Sequence, residues 1–223
     1  MSQLVIVDGN ALAARIFYAG GQPEGATDLV ASLTPEGASV LWCFDGERPY
    51  WRHELHAEYK GTRTKHPPGY AEGLAALKLK VPASFEVPGF EADDLIASLV
   101  AQRTEGTTCR VLTTDKDLLQ LVRPGVEVWR PSALGWLEDD PETALGVRAD
   151  LVVDFLAIVG CASDNVSGCP GVGKVKAQKM LAAHGSLDAA IAAGAIPAQY
   201  VDAVLLSRRL VTLAADVPLE LCA

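Results

Sequence analysis

Acidic residues stand where several apolar runs of this chain give out, and that placement limits the possible folds more than any other feature. Asp8 follows Leu4–Val7, Asp45 follows Ser39–Phe44, and Asp115 and Asp117 follow Arg110–Thr113. Glu91, Asp93 and Asp94 form EADD at the head of an apolar-periodic segment, and Asp164 comes later, in GCASDN. Carboxylates at the carboxyl ends of parallel strands converge on one crevice of an α/β sheet. Eight of them gathered together repel strongly unless hard divalent cations hold them. A chain that collects Mg²⁺ or Mn²⁺ in this way is equipped to handle phosphate.

The periodicity agrees with such a sheet. Leu4–Val7, Ser39–Phe44, Arg110–Thr113 and Val126–Trp129 are short, apolar and rich in β-branched residues, the pattern of buried strands. Helical spacing falls between or after them, over about 11–18, 70–80, 92–103 and 117–121. From about residue 150 the pattern is helical only, over 151–159, 174–184, 187–193 and 198–213. Strand alternating with helix implies α/β with a mostly parallel sheet. The expected plan is an α/β core over 1–149 and a helical subdomain over 150–223, with no internal repeat.

Composition bounds the setting. The start, MSQLVIVDGN, reads as a first strand rather than a signal peptide. No run approaches the roughly 18 apolar residues of a membrane span. Five cysteines without a CxxC suggest neither a disulfide framework nor a zinc site. A monomeric, cytoplasmic protein is expected. The net charge of −9 is unusual for a nucleic-acid partner, but the eight clustered carboxylates account for almost all of it. Without them, 20 acidic residues face 19 Lys and Arg. Charge alone therefore neither supports nor excludes DNA.

Each motif also has an ordinary reading. EADD in a first helical turn is favoured by the dipole and the free amides. Yet Glu91 and Asp94 at i, i+3 repel each other, a penalty a metal would reverse. Asp115 and Asp117 in TTDKDL fit an N-cap, while Asp8 and Asp45 each precede a glycine, as in a turn. Four such groups all following apolar runs would be an improbable accident. In HAEYKGTRTK, Lys60 and Arg63 make a paired cationic surface for a phosphate, and Tyr59 offers a ring for a base. The ordinary reading there is a solvated basic face. GCPGVGKVKAQKML places Gly171, Val172 and Gly173 before a helix bearing Lys174 and Lys176. Such a turn can aim backbone amides at a phosphate while the lysines follow the strand. It is not a Walker loop.

VDGN, FDG with Arg52 and then YKGTR, VPGFEADDLIA, LTTDKDLLQLV and SDNVSGCPGVGKVKA occur in this order along the chain. Together they resemble the 5′-nuclease family: the 5′→3′ exonuclease domain of bacterial DNA polymerase I, phage 5′-exonucleases and flap endonucleases. The resemblance covers nearly the whole chain, including LVTLAADVPLEL at the end, which looks like that domain's last strand. It implies a PIN-like α/β core with a helical arch, and a helical subdomain carrying a helix–hairpin–helix-type DNA-binding motif. It also implies that Asp8, Asp45, Glu91, Asp93, Asp94, Asp115, Asp117 and Asp164 hold one or two Mg²⁺ or Mn²⁺ ions. Tyr59, Lys60 and Arg63 would act at the scissile phosphate. Arg15, Arg52, Lys65, Gly171, Val172, Gly173, Lys174 and Lys176 would contact DNA, with K⁺ at the hairpin in some relatives. The implied activity is metal-dependent hydrolysis of DNA at a 5′ end or 5′ flap, leaving 5′-phosphate and 3′-hydroxyl ends.

The chain departs from the family in two places. Cys161 stands where relatives carry the first Asp of G-D-x-S-D-N, replacing a hard oxygen ligand by a soft sulfur. The stretch between Asp8 and Asp45 is also shorter than in the polymerase domain. The first departure leaves open a structure-specific DNA-binding protein with weak or no nuclease activity. A PIN-like ribonuclease is a more distant alternative.

Overall fold

The computed structural model describes residues 2–219. Its strands are β1 (Gln3–Asp8), β2 (Ser39–Phe44), β3 (Ser84–Glu86), β4 (Thr108–Leu112), β5 (Val126–Ser132) and β6 (Gly135–Asp139). Its helices are α1 (Gly9–Tyr18), α2 (Ala26–Leu33), α3 (Arg52–Leu55), α4 (Tyr70–Lys80), α5 (Ala92–Gln102), α6 (Pro141–Leu145), α7 (Val152–Val159), α8 (Lys174–His184), α9 (Leu187–Ala192) and α10 (Val201–Val211). Backbone contacts divide the chain into two units. One holds residues 2–50, 65–139 and 214–219, and the other holds Trp51–Thr64 and Asp140–Leu213. The division falls ten residues before the expected joint, and it groups the YKGTR stretch with the C-terminal helices.

The first unit is built on one sheet in the order β3-β2-β1-β4-β5-β6, parallel except for the β5–β6 pair. Its central strands are apolar on both faces, as a sheet covered on both sides requires. Val5 and Val7 of β1, Trp42 and Phe44 of β2 and Leu112 of β4 join Leu12, Val30 and Leu77 of α1, α2 and α4 in one core. The alternate residues Ile6, Cys43 and Val111 are equally buried and point to the opposite face. There α5 packs, burying Leu95, Ile96, Ala97 and Val100. With β1 between β2 and β4, the strand ends that carry Asp45, Asp8 and Asp115 are neighbours.

The expected strands and most helices are present within a few residues. Several elements have weaker signals: α2, the three-residue β3, the antiparallel edge strand β6, and the short α3 and α6. Asp117–Leu121 is a 3-10 helix. Between α3 and α4 the described backbone makes turns and no helix, so the expected arch is not helical there. Gly61, Pro67, Pro68 and Gly69 interrupt that stretch, and Lys60 adopts the left-handed region at φ 53°.

The expected last strand is also different. Leu210 and Val211 end α10, and 212–219 carry no strand; Glu220, Leu221 and Cys222 lie outside the described residues. The segment is held by α5 side chains instead of a sheet edge. Ala214 N–H donates to Asp94 Oδ1 at 2.9 Å, Val217 N–H donates to Ser98 Oγ at 3.1 Å, and Gln102 Nε2 donates to Val217 O at 3.2 Å.

In the second unit α7 is the central helix, contacting α8, α9 and α10, and α10 also meets α3. Among the described residues no helix is long and apolar enough to cross a membrane.

The turn after β2 illustrates how tightly the sheet ends are built. Gly46 N–H donates to Phe90 O at 3.0 Å, and a Cβ at Gly46 would lie 1.9 Å from Val87 O. Backbone on both sides leaves no room to relax. Gly46→Ala is therefore expected to destabilise the fold by about 1–3 kcal/mol, measured by urea denaturation.

Candidate metal centre and nucleic-acid interface

The acid-bearing loops of the first unit are tied together by hydrogen bonds from backbone and small polar side chains. Asp8 ends β1 and caps α1: its Oδ1 accepts Ala11 N–H at 3.0 Å and its Oδ2 accepts the Thr113 hydroxyl at 2.7 Å. Thr113 Oγ1 accepts Asp115 N–H at 3.0 Å, and Asp115 Oδ1 accepts Asp117 N–H at 2.9 Å. On the other side, Asp45 N–H donates to Asn10 Oδ1 at 3.0 Å, and Asp45 Oδ1 accepts Ala92 N–H at 2.9 Å. Glu91 and Asp94 form a capping box at the start of α5. The helix-capping reading is thus true of Glu91 and Asp94, and Asp8, which the sequence suggests as a turn former, caps α1. The same bonds also place Asp8, Asp45 and Asp115 on adjacent strand ends.

Burial and charge act on these groups together. Burial, then the negative charges of Asp45 and Asp115, push the Asp8 carboxyl up to about 7, against the opposing bonds from Ala11 and Thr113. Burial followed by Asp8 and Asp93 pushes the Cys43 thiol well above its ordinary value. Burial followed by Asp45 and Asp8 pushes the Tyr70 hydroxyl up to about 12. Tyr50 is also raised, by burial first, with contributions from Asp45 and Glu91. Asp8, Cys43, Tyr50 and Tyr70 thus each sense negative charge from neighbouring carboxylates. An all-oxygen donor set with excess negative charge fits Mg²⁺ or Mn²⁺.

The other acids of this unit differ in setting. Asp94 is 0% exposed, and its two oxygens accept Ala214 N–H at 2.9 Å and Glu91 N–H at 3.4 Å. It braces the α5 entrance. Asp117 accepts an ion pair from Lys116 at 3.0 Å. Arg15 and Lys65 are exposed.

In the second unit, Asp164 lies on a loop closed at both ends by glycines in the left-handed region, Gly160 and Gly168. A Cβ at either would meet backbone within 2.6 Å. Cys161 and Val166 exchange two backbone hydrogen bonds of 2.9 Å across it. The YKGTR stretch is laced onto this loop. Lys60 N–H donates to Asp164 O at 3.0 Å, and Arg63 donates to Ser163 O at 3.3 Å and pairs with the Asp164 carboxylate at 2.5 Å. Asn165 Nδ2 donates to Glu58 O at 3.0 Å, and His56 Nε2 lies 3.1 Å from Asn165 O. The Cys161 Sγ is within 4.8 Å of an Asp164 carboxylate oxygen.

Three residues expected at the DNA are packed inside, Lys60 among them at 8% exposed. Arg52 is 2% exposed; its guanidinium donates to Leu210 O at 2.7 Å and Thr212 O at 3.2 Å, capping α10. The Tyr59 ring is 5% exposed, edge-on to His53 with the Arg52 and Lys60 cations beside it. The hairpin is open by contrast. Gly171 takes φ 77°, Gly173 caps α8, and a Cβ at either would meet nothing. Val172 is half-buried, Lys174, Lys176 and Lys179 are exposed, and Lys176 Nζ reaches back to Gly171 O at 2.9 Å. Asn10, Thr113, His56 and Asn165 carry much of the positioning. Asn10 lies within the quoted VDGN, but nothing in spacing alone marks it or the other three.

A mostly parallel α/β sheet with acids on adjacent strand ends is one unit of this chain, and a helical unit is the other. Two family models match it end to end: the N-terminal resolvase-like domain of 5′–3′ exonucleases over residues 3–147, and their C-terminal SAM fold over residues 147–223. The chain belongs to the 5′–3′ exonuclease family. It is 36% identical over 208 residues to thermostable DNA polymerase I of Thermus aquaticus, covering 84% of this chain and 24% of that protein. It is 35% identical over 252 residues to DNA polymerase I of Mycobacterium bovis, covering 97% and 28%. The chain therefore spans about a quarter of the length of these relatives. Among solved structures the T5 D15 protein matches with a TM-score of 0.78 at 21% identity, covering 96% of this chain and 89% of that one. The catalytic core of Rad2 matches at 0.58 and 16%, covering 98% and 73%. These likenesses confirm the fold.

The raised Asp8 value has a consequence for stability. The folded chain holds this proton more tightly than the unfolded chain does. The contribution is thus present in full below about pH 3.8 and is lost as pH rises through about 7. Asp8→Asn removes the penalty. Without divalent ions it should melt above wild type at pH 8, and the difference should shrink as pH falls to 5. Melting curves at both pH values check this, and an equal Tm at pH 8 would contradict it.

Proposed function

We propose that this chain is a divalent-metal-dependent 5′→3′ exonuclease and 5′-flap endonuclease. It would hydrolyse DNA phosphodiester bonds and leave 5′-phosphate and 3′-hydroxyl ends. The observation that carries the reading is the crowding of Asp8 by Asp45 and Asp115 at neighbouring strand ends, in a chain of the 5′–3′ exonuclease family. Solved neighbours support it: the T5 D15 protein was co-crystallised with metal ions, and a T5 flap endonuclease was captured with DNA and metal ions. Rad2's catalytic core was captured with DNA substrate.

In this reading Asp8, Asp45, Glu91, Asp93, Asp115 and Asp117 are the metal-site carboxylates of the first unit and Asp164 is that of the second, for one or two Mg²⁺ or Mn²⁺ ions. Bound ions would supply activation of water and polarisation of the phosphodiester, which carboxylates alone cannot provide. The chain's own residues do the rest. Asp94 fixes the entrance to α5, and Thr113 and Asn10 set the orientation of the loops that carry Asp8 and Asp45. Arg63 and Lys60 offset charge on the phosphoryl oxygens, held in register by the Asp164–Asn165 loop. Gly171, Val172 and Gly173, with Lys174 and Lys176, meet the duplex backbone, and Arg15 and Lys65 add charge in the first unit. Lys176 already satisfies the Gly171 carbonyl, so a K⁺ ion at the hairpin would be held by other carbonyls. The protein would work as a cytoplasmic monomer in DNA replication and repair.

Digestion of a 5′-flap substrate beside a blunt duplex tests the reading. Wild type should cleave the flap only with Mg²⁺ or Mn²⁺, and excess chelator should abolish cleavage. Asp8→Ala or Asp45→Ala should lower the rate at least about 100-fold, with flap affinity in Ca²⁺ nearly unchanged. Near-normal cleavage by both variants would refute the assignment. Cys161→Asp should raise the rate at low Mg²⁺ several-fold, because a hard oxygen replaces a soft sulfur. Fast wild-type cleavage at sub-millimolar Mg²⁺, with no gain in the variant, would show that Cys161 does not weaken the site.

A further inference from the structure

The ring expected to stack on a base, Tyr59, is enclosed, whereas another tyrosine stands open. Tyr18, the last residue of α1, is 61% exposed. An exposed tyrosine alone means little, but this one is held in place. Its hydroxyl hydrogen-bonds His66 Nδ1 at 3.0 Å, and the His66 ring stacks on Tyr70 with centroids 3.9 Å apart and planes 21° from parallel. Phe17 meets Tyr18 and Tyr70 edge-on at 5.7 and 5.5 Å. Tyr70 is buried, and its hydroxyl donates to Asn10 O at 3.3 Å. Asn10 is also the residue whose side chain receives Asp45 N–H. The four rings are therefore anchored to a loop of the acidic crevice, and Tyr18 and His66 form their exposed end.

Two basic residues adjoin that end in a chain of net charge −9. Arg15 lies one turn before Tyr18 on the same face of α1, and Lys65 immediately precedes His66; both are exposed. An ordered exposed ring flanked by two cations matches a nucleotide of a single strand, whose base has a π-face and whose phosphate is anionic. We propose that Tyr18 and His66 form a stacking platform for an unpaired nucleobase in the single-stranded 5′ portion of the substrate. The platform rests on the nuclease reading for the identity of the strand, but its stacking contact is separable from cleavage. The Tyr18–His66 hydrogen bond orients the ring, and the ring face makes the contact.

The test uses the intact protein in Ca²⁺, with 2-aminopurine placed in turn at each of the first unpaired nucleotides of a 5′ flap. Wild type should quench the probe at one or two adjacent positions. Tyr18→Ala should lose that quenching and bind the flap substrate roughly tenfold more weakly, with unchanged affinity for the same nicked duplex lacking a flap. Tyr18→Phe should keep the quenching and most of the affinity. His66→Ala, which removes the ring partner, should fall between them. Wild-type quenching and flap affinity in Tyr18→Ala would overturn the proposal, as would an equal loss on the flap-free duplex. Absence of Mg²⁺-dependent flap cleavage by wild type would instead overturn the nuclease reading, a result independent of the quenching.

Discussion

Electrostatic repulsion among carboxylates on neighbouring strand ends is the constraint to which the first unit answers. Three parallel strands, β2, β1 and β4, deliver Asp45, Asp8 and Asp115 side by side. The middle one is buried enough that its carboxyl sits near 7 instead of near 4. Removing a charge from water is costly, and adding like charges beside it raises that cost. A fold selected only for stability would not keep such an arrangement. It becomes favourable when a hard cation shares the site, because the charge that opposes folding then becomes the charge that binds the ion.

The surrounding structure restrains these acids without neutralising them. Thr113 and the backbone of α1 hold Asp8, Asn10 and the head of α5 hold Asp45, and Thr113 in turn holds the Asp115 backbone. All of these partners are uncharged. In the second unit the arrangement is different, since Arg63 pairs directly with Asp164. Asp8, Asp45 and Asp115 are thus held by uncharged partners, whereas Asp164 has a cation of the protein's own, as Asp117 does in Lys116.

Much of this was legible in the chain because its strongest signals are local. The parallel strands declare themselves as apolar β-branched runs, and Asp8, Asp45 and Asp115 each follow one of them closely. Glu91 and Asp94 had the spacing of a capping box and are one. What could not be read depends on contacts distant in sequence. Arg52 looks like a DNA contact until α10 brings its final carbonyls to it, more than 150 residues away. The last segment looks like a strand, yet Asp94, Ser98 and Gln102 of α5 offer its backbone better partners than a sheet edge. Tyr59 and Tyr18 are both tyrosines near basic residues, and only packing shows which ring is enclosed. Lys60 and Arg63 were paired by helical spacing, but turns and a left-handed lysine bring them to the Asp164 loop by another route.

Cations holding the crowded acids together is the central claim, and proton exchange on metal binding tests it most directly. Mg²⁺ is titrated into the protein calorimetrically at pH 6.5 and 8.5, in buffers of different ionisation enthalpy. Saturable binding should release a substantial fraction of a proton at pH 6.5, as the ion displaces the one held near Asp8, and almost none at pH 8.5. Absence of saturable binding at millimolar Mg²⁺, or binding with the same proton exchange at both pH values, would contradict the account.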